Sequence, residues 1–215
     1  LLLGGQMPLA LEHYARAIAM DPSYAEAYAK QARALLLDGQ TDAAVSSAQK
    51  GAEIDPESVR CQTALSMALD WDGQVEGAVA AGMKATSLDE DYAPGHAALA
   101  EALADQSLIE DALNHANISL ELAPENPFSL RAMGYVHEVQ GEYATAITYY
   151  EQSQAVTPNL AYILLDLGRN YRALGSWEQA ILTFEQTVTL APDDVRGYDQ
   201  LGWTYYVEGI YSAAV

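Results

Sequence analysis

Residues 161–194, AYILLDLGRNYRALGSWEQAILTFEQTVTLAPDD, decide how the rest of the chain is interpreted. Apolar and small residues recur at helical spacing on both sides of Gly175, and Pro192 ends the second run. The stretch therefore predicts two helices joined by a turn and followed by a second turn.

The same pattern recurs along the whole chain in steps equal to the length of this stretch, without an insertion or a deletion. We number the places of the repeat from Ala161 as place 1. Place 20 is alanine in every copy: Ala10, Ala44, Ala78, Ala112, Ala146, Ala180 and Ala214. Place 32 is proline except at Glu90: Pro22, Pro56, Pro124, Pro158 and Pro192. Place 15, the predicted turn, is Gly5, Gly39, Gly73, Ser107, Gly141, Gly175 and Gly209.

A helical hairpin of this length with glycine at place 8, alanine at place 20, an aromatic residue at place 24 and proline at place 32 resembles the tetratricopeptide repeat (TPR) family. The resemblance covers the whole chain. It implies an all-α fold in which αα-hairpins stack into a right-handed superhelix, a TPR solenoid of roughly twelve helices. We expect one array over residues 1–215, with a partial repeat at 1–24, full repeats at 25–58, 59–92, 93–126, 127–160 and 161–194, and a partial repeat at 195–215. The incomplete terminal repeats suggest a segment of a longer array.

Charge limits the classes of partner. Thirty acidic and ten basic side chains give a formal net charge of -20, which argues against nucleic acid and against an anionic membrane surface. No apolar run approaches the length of a membrane span, so we expect no direct membrane insertion. We predict a soluble chain and favour a cytoplasmic location.

We find no catalytic constellation in the sequence and predict a protein that is not an enzyme. The four histidines lack a second His or Cys at metal-ligand spacing, and the single Cys61 has no activating neighbour in sequence. We therefore expect no metal site and no cofactor. His96 and His115 belong to one hairpin and could approach each other, and we interpret both as structural.

The placement of the cations is the most informative feature for function. In arrays that resemble TPRs, the first helices line a concave groove, and places 2, 5, 6, 9, 12 and 13 point into it. Seven of the ten basic residues occupy these places: Lys30, Arg33, Arg60, Arg131, Arg169, Arg172 and Arg196. Seven acids share them: Glu26, Asp70, Glu101, Asp105, Glu138, Asp166 and Asp199. By this count the groove is near neutral, and the net charge lies on the remaining surface.

Two interpretations of this arrangement stay open. In the first, arginines and acids pair internally, Asp166 with Arg169 one turn apart and Glu138 with Arg172 at the same place of successive repeats. In the second, arginines and aromatics form an exposed binding surface, because such residues dominate binding hot spots. The predicted peptide- or protein-binding site is then Phe128, Arg131, Tyr135, Tyr162, Arg169, Arg172, Arg196, Trp203 and Tyr206, with a secondary patch of Lys30, Arg33 and Arg60.

The leading hypothesis is a non-enzymatic scaffold that binds a peptide or protein segment in its concave groove. The arginines would contact acidic or terminal carboxylate groups of the ligand. The alternative is a regulatory or substrate-recruiting TPR arm of a larger multidomain enzyme. The sequence also allows self-association through the apolar terminal repeats.

The two halves of the array differ at the contact between paired helices. From residue 127 onward, place 8 is glycine and place 24 is a large aromatic, as in Gly168 and Phe184. Between residues 25 and 126 both places carry small residues, as in Ser66 and Gly82. Because small residues bury less apolar area, we predict that the earlier half is the softer one.

Overall fold

A computed structural model describes residues 7–158 and 160–209, and within these ranges the secondary structure is entirely α-helical. The twelve helices found there are α1 (Met7–Met20), α2 (Ala25–Leu37), α3 (Thr41–Ile54), α4 (Val59–Trp71), α5 (Val75–Leu88), α6 (Ala93–Asp105), α7 (Ile109–Leu122), α8 (Pro127–Val139), α9 (Tyr143–Val156), α10 (Ala161–Ala173), α11 (Trp177–Leu190) and α12 (Val195–Glu208). The predicted helix count is confirmed, and the helices keep the register of the repeat.

Short connections join each helix to the next and place successive helices side by side. Helices α2 and α3 pack as one hairpin, α4 and α5 as the next, and α2 also contacts α4, the first helix of the following repeat. Each hairpin therefore buries its apolar stripe against its neighbours, as expected for a solenoid. The five alanines at place 20 between α3 and α11 lie at this contact and have no exposed surface: Ala44, Ala78, Ala112, Ala146 and Ala180.

The turn inside each hairpin requires a left-handed backbone. Gly39 has φ of 78° and follows α2, where the amide of Gln40 donates a hydrogen bond to the Leu35 carbonyl at 2.8 Å. This geometry closes the last turn of a helix and favours glycine. Ser107 occupies the equivalent place with φ of 62° and is the only non-glycine residue with positive φ in the described ranges.

Helix pairs in the later repeats approach closely because glycine faces an aromatic ring. A Cβ atom at Gly134 would lie 2.7 Å from a ring carbon of Tyr150, and one at Gly168 would overlap the ring of Phe184. Both rings have no exposed surface. Only glycine, which has no Cβ atom, therefore fits at place 8 in these two repeats.

The array curves so strongly that repeats far apart in sequence meet across its concave side. The guanidinium of Arg33 on α2 lies 4.5 Å from the ring centroid of Phe128 on α8. Trp71 and Tyr162, which belong to repeats three apart, have ring centroids separated by 6.2 Å. Side chains from repeats three apart therefore touch across the groove.

The predicted proximity of His96 and His115 is confirmed. Their Nδ1 atoms are 2.8 Å apart, and the rings are stacked at a centroid distance of 5.1 Å. His96 Nε2 also lies 2.9 Å from the Glu90 carbonyl oxygen, at the turn where proline is missing. Burial and the neighbouring ring of His96 lower the pKa of His115.

Candidate functional site

The predicted groove residues lie at very different depths. Arg131 and Tyr162 are buried, at 7% and 4% exposure. Intermediate exposure is found for Phe128, Tyr135, Arg169, Arg172 and Arg196. Trp203 and Tyr206 on α12 are each 53% exposed, and their rings stack with centroids 5.6 Å apart. The expectation that all nine residues form one exposed surface is therefore wrong for Arg131 and Tyr162, which lie under it.

Arg131 is the centre of a buried ion cluster. Its Nε donates to Asp166 Oδ2 at 2.7 Å, and its Nη1 donates to Glu101 Oε2. The guanidinium also lies over the rings of Trp71 and Tyr162, at 5.2 and 5.6 Å. Burial by itself would lower the pKa of Arg131, but Asp166 and Glu101 raise it well above its usual value. The ion pairs of this arginine therefore connect α8 to α6 and to α10.

Part of the internal pairing expected from the sequence is confirmed. Arg169 Nη2 donates to Asp166 Oδ1 at 2.6 Å, one helical turn away. The partner predicted for Glu138 was wrong, because Arg169 Nε lies 3.6 Å from Glu138 Oε1 and Arg172 does not pair with this carboxylate. Glu138 instead accepts hydrogen bonds from Tyr150 and Asn170, at 2.7 and 2.8 Å.

Arg172 is held by neutral groups. It donates to Gln200 Oε1 at 2.8 Å and to Thr204 Oγ1 at 3.2 Å, so it ties α10 to α12. Burial and the nearby Arg169 lower its pKa. Arg196 differs, because it forms an ion pair with Asp194 at 2.7 Å. Of these two groove arginines, Arg172 is the one that donates no hydrogen bond to a carboxylate among the described residues.

The secondary patch lies on α2 and α4, and the curvature of the array brings it against Phe128 on α8. Lys30 and Arg60 both approach Glu26, at 3.4 and 3.6 Å. Arg33 packs on Phe128, and its buried Nε has no hydrogen-bond partner among the described residues. These residues line a small cavity of about 70 Å³. The sequence separated Phe128 from the patch, because the contact crosses three repeats.

The larger space, which we call the groove cavity, has a volume of about 770 Å³. It is enclosed by first helices from four successive repeats and by α12. Its walls comprise Thr41, Asp70, Trp71, Glu101, Asp105, Arg131, Tyr135, Tyr162, Leu165, Asp166, Arg169, Val195, Arg196, Asp199 and Gln200. Four of the predicted site residues other than Arg131 therefore line this cavity, namely Tyr135, Tyr162, Arg169 and Arg196.

Among the lining residues that the sequence did not assign to the site, Trp71 and Asp70 bear most on its chemistry. Trp71 occupies place 13, a groove place, and its ring contacts both Arg131 and Tyr162. Asp70 at place 12 was counted among the groove acids but not as a site residue. Its side chain is 8% exposed, and its Oδ1 has no hydrogen-bond partner among the described residues. Burial, followed by the charges of Glu101 and Asp105, raises the pKa of Asp70 to about 8.

Two further properties concern the described ranges only. They contain no helix with the length and apolarity to cross a membrane. Within the same ranges, no three His, Cys, Asp or Glu side chains are grouped to hold a metal ion. The charged groups of the groove are therefore arranged as ion pairs and single carboxylates.

Comparisons with known proteins agree with this architecture. Sequence profiles described as tetratricopeptide repeats match residues 13–46 and 125–193. A search of the curated proteins finds no match. Among solved structures, TTC0263, a thermophilic TPR protein of Thermus thermophilus, has a TM-score of 0.71 at 18% identity, over 85% of this chain and 99% of that chain.

Two other solved structures are similar over a shorter part of their own length. The APC/C hetero-tetramer Cut9–Hcn1 gives a TM-score of 0.69 at 18% identity, over 95% of this chain and 41% of that chain. The human IFIT1 dimer with m7Gppp-AAAA gives a TM-score of 0.74 at 16% identity, over 88% of this chain and 48% of that chain. This chain spans less than half of either, and at such identities the likeness concerns the fold.

The chain is a tetratricopeptide-repeat protein with an all-α superhelical fold. This fold indicates a scaffold for protein–protein interaction.

Proposed function

We propose that this protein is a non-enzymatic scaffold that binds a peptide or protein segment in its concave groove. The observation that carries the proposal is the stacked pair Trp203 and Tyr206, half exposed on α12, the helix whose earlier residues Arg196, Asp199 and Gln200 line the groove cavity. Exposed aromatic rings that share one surface with arginine are typical of binding hot spots, because they bury a large area at low entropic cost.

The proposed site keeps the nine residues expected from the sequence and divides their roles by depth. Trp203 and Tyr206 would supply apolar anchors, and Arg172 would meet a carboxylate of the ligand, since its present partners are neutral. Buried Arg131 and Tyr162 would hold the shape of the groove. The secondary patch of Lys30, Arg33 and Arg60 would contact an extension of the same ligand at the small cavity beside Phe128.

A ribonucleotide ligand, as present in the IFIT1 structure, is the less favourable alternative. The chain carries a net charge of -20, and binding of a polyphosphate would bring further negative charge to it. The arginines nearest the groove cavity are engaged by Asp166, Glu101 and Asp194. A protein segment fits these charges better than an RNA does.

The test is a selection of short random peptides displayed on phage, followed by affinity measurement with the strongest synthetic peptide. We expect Trp203→Ala and Tyr206→Ala each to weaken binding by about 1 kcal/mol or more, roughly a fivefold loss. Tyr198→Ala is the matched control, because Tyr198 is 51% exposed on the same helix but outside the groove places.

A second pair of variants tests the arginine. Arg172→Gln should weaken binding of a peptide that carries an acidic or terminal carboxylate, whereas Arg16→Gln, an exposed arginine on α1, should not. Equal affinities for wild type, Trp203→Ala and Tyr206→Ala would contradict the proposed site. A selection that returns no peptide would contradict binding of short segments.

A further inference from the structure

An unpaired carboxylate lies inside the groove cavity. Asp70 is about nine-tenths buried, lines this cavity, and has an Oδ1 atom without a hydrogen-bond donor among the described residues. A buried polar atom without a partner is costly, and a ligand that supplied a donor would recover that cost. This is a property of one side chain and not of the acidic composition of the protein.

The lining of the cavity contains more acidic than basic residues. Five acids line it, Asp70, Glu101, Asp105, Asp166 and Asp199, against three cations, Arg131, Arg169 and Arg196. Each of these cations already has a carboxylate partner: Arg131 bridges Glu101 and Asp166, Arg169 pairs with Asp166 and Glu138, and Arg196 pairs with Asp194 outside the cavity. None of these ion pairs reaches Asp70 or Asp105.

Aromatic side chains form part of the wall beside these carboxylates. Trp71 follows Asp70 on α4, and Tyr135 donates its hydroxyl hydrogen to Asp105 Oδ1. Rings of this kind pack against the alkyl stem of a long basic side chain and attract its charged end. Rings beside carboxylates favour an organic cation.

We propose that the groove cavity takes a basic side chain, a lysine or an arginine of the bound segment, with its cationic group between Asp70 and Asp105. This inference rests on the proposed function and specifies the chemistry of the partner. It also reverses part of the expectation from the sequence, in which groove arginines select carboxylates. A ligand would then present a basic residue to the cavity and, further along, an acidic group to Arg172.

The proposal implies a definite pH dependence. The charges that act on Asp70 are those of Glu101, Asp105 and Arg131. The other charged and titratable groups that line the cavity are Tyr135 on α8, Tyr162, Asp166 and Arg169 on α10, and Arg196 and Asp199 on α12. Helix α3 contributes Thr41, and neither α2 nor α5 contributes a residue to the described lining. Because the pKa of Asp70 is raised to about 8, this carboxyl is mostly protonated at neutral pH in the free protein. A cation favours the ionised form, so binding should release a proton and tighten as the pH rises through about 8.

The test uses the intact chain and the strongest lysine- or arginine-containing peptide from the phage selection described above. The probes are this peptide and two analogues, in which the basic residue is replaced by glutamine or by norleucine. The protein variants are Asp70→Asn, with Asp72→Asn as control because Asp72 is exposed at the end of the same helix. Asp105→Asn is a second variant, which removes the other carboxylate of the pair.

We expect Asp70→Asn and both peptide substitutions to weaken binding by about tenfold, and Asp72→Asn to leave it unchanged. Asp70→Asn should also abolish the tightening between about pH 6 and about pH 9. A thermal melt checks folding, and this variant should melt no lower than wild type because it lacks the cost of a buried carboxylate.

The outcomes separate this inference from the proposed function. If selected peptides need Trp203 and Tyr206 but show no enrichment of lysine or arginine, the groove binds a segment and the basic-residue pocket is wrong. The same conclusion follows if Asp70→Asn and Asp105→Asn both bind the basic peptide as tightly as wild type. Failure to select any peptide overturns both proposals.

Discussion

The two halves of the array follow one register but fill the contact between paired helices differently. In residues 25–126 small side chains meet, as in Ser66 and Gly82, where a Cβ atom on Gly82 would lie 3.1 Å from the Cα atom of Leu99. In residues 127–194 glycine faces an aromatic ring, as in Gly168 and Phe184. Ser66 and Phe184 both have no exposed surface. The contact between paired helices is thus filled in two different ways, and the later half buries the larger apolar groups.

Two buried acids, one from each half, also differ in their partners. Asp166 in the later half accepts hydrogen bonds from Arg131 and Arg169, at 2.7 and 2.6 Å. Asp70 in the earlier half is buried with Oδ1 unsatisfied among the described residues and its pKa raised to about 8. A paired buried charge supports the structure around it, whereas an unpaired one weakens the fold and is available to a ligand.

The largest expected effect comes from exchanging these two carboxylates for amides. Asp166→Asn should lower the free energy of unfolding by about 3–5 kcal/mol, because it leaves Arg131 without one of its buried partners. Asp70→Asn should raise it near neutral pH. Because the pKa of Asp70 is raised in the folded protein, the wild type loses stability as the pH rises from about 4 to about 8. Asparagine does not ionise, so the variant does not lose this stability.

Urea unfolding at neutral pH measures both changes. If Asp70→Asn lowered the free energy of unfolding about as much as Asp166→Asn, Asp70 would be a structural group like Asp166. Opposite signs would support the contrast between the two halves.

The next effect concerns the helix contact of the later half. Gly168→Ala should lower the free energy of unfolding by about 1–3 kcal/mol, because the new methyl group would overlap the buried ring of Phe184. Gly202→Ala is the matched control at the same place of the next repeat, where an added Cβ atom has nothing within 4 Å among the described residues. Alanine is favoured over glycine in a helix by about 1 kcal/mol, so the control should be neutral or stabilising. Equal losses in thermal melts of the two variants would refute the packing argument.

The predicted softness of the earlier half is tested by native-state hydrogen exchange. Amides of α2 to α7 should exchange with opening free energies about 1 kcal/mol below those of α8 to α11, since the small side chains of place 24 bury less area. Mass spectrometry of peptic fragments resolves the two regions in one experiment. Uniform protection across both halves would mean that close backbone packing compensates for the smaller side chains.

The smallest expected effect lies in the turn of the repeat 93–126. Ser107→Gly should raise the free energy of unfolding by about 1 kcal/mol, because φ of 62° is unfavourable for a residue with a Cβ atom. Gly73→Ser in the preceding repeat, where φ is 78°, is the reciprocal change and should lower stability by a similar amount. Two effects of the same sign would indicate that side-chain contacts, and not the backbone, govern this turn.

Much of the fold was predictable because its determinants are local in the sequence. The period of the repeat located the helices, and alanine at place 20 marked the positions with no exposed surface, such as Ala78 and Ala146. The pairing of Asp166 with Arg169 followed from their spacing of one turn.

The candidate site was less predictable, because its contacts join distant repeats. Trp71 and Tyr162 meet across three repeats, and Arg131 is enclosed by acids from α6 and α10. The spacing of residues within one repeat does not predict such contacts. The place of a residue in the repeat indicated that it belonged to the groove, but not its depth.

The sequence by itself determined that this protein is a TPR array with a nearly neutral groove on a strongly acidic chain. Only the tertiary structure decided which groove charges cancel, leaving Arg131 buried between two carboxylates and Asp70 without a partner for its Oδ1 among the described residues. The reason is geometric. Register depends on neighbours one or two turns apart, whereas the meeting of distant repeats depends on the curvature summed over every interface between them.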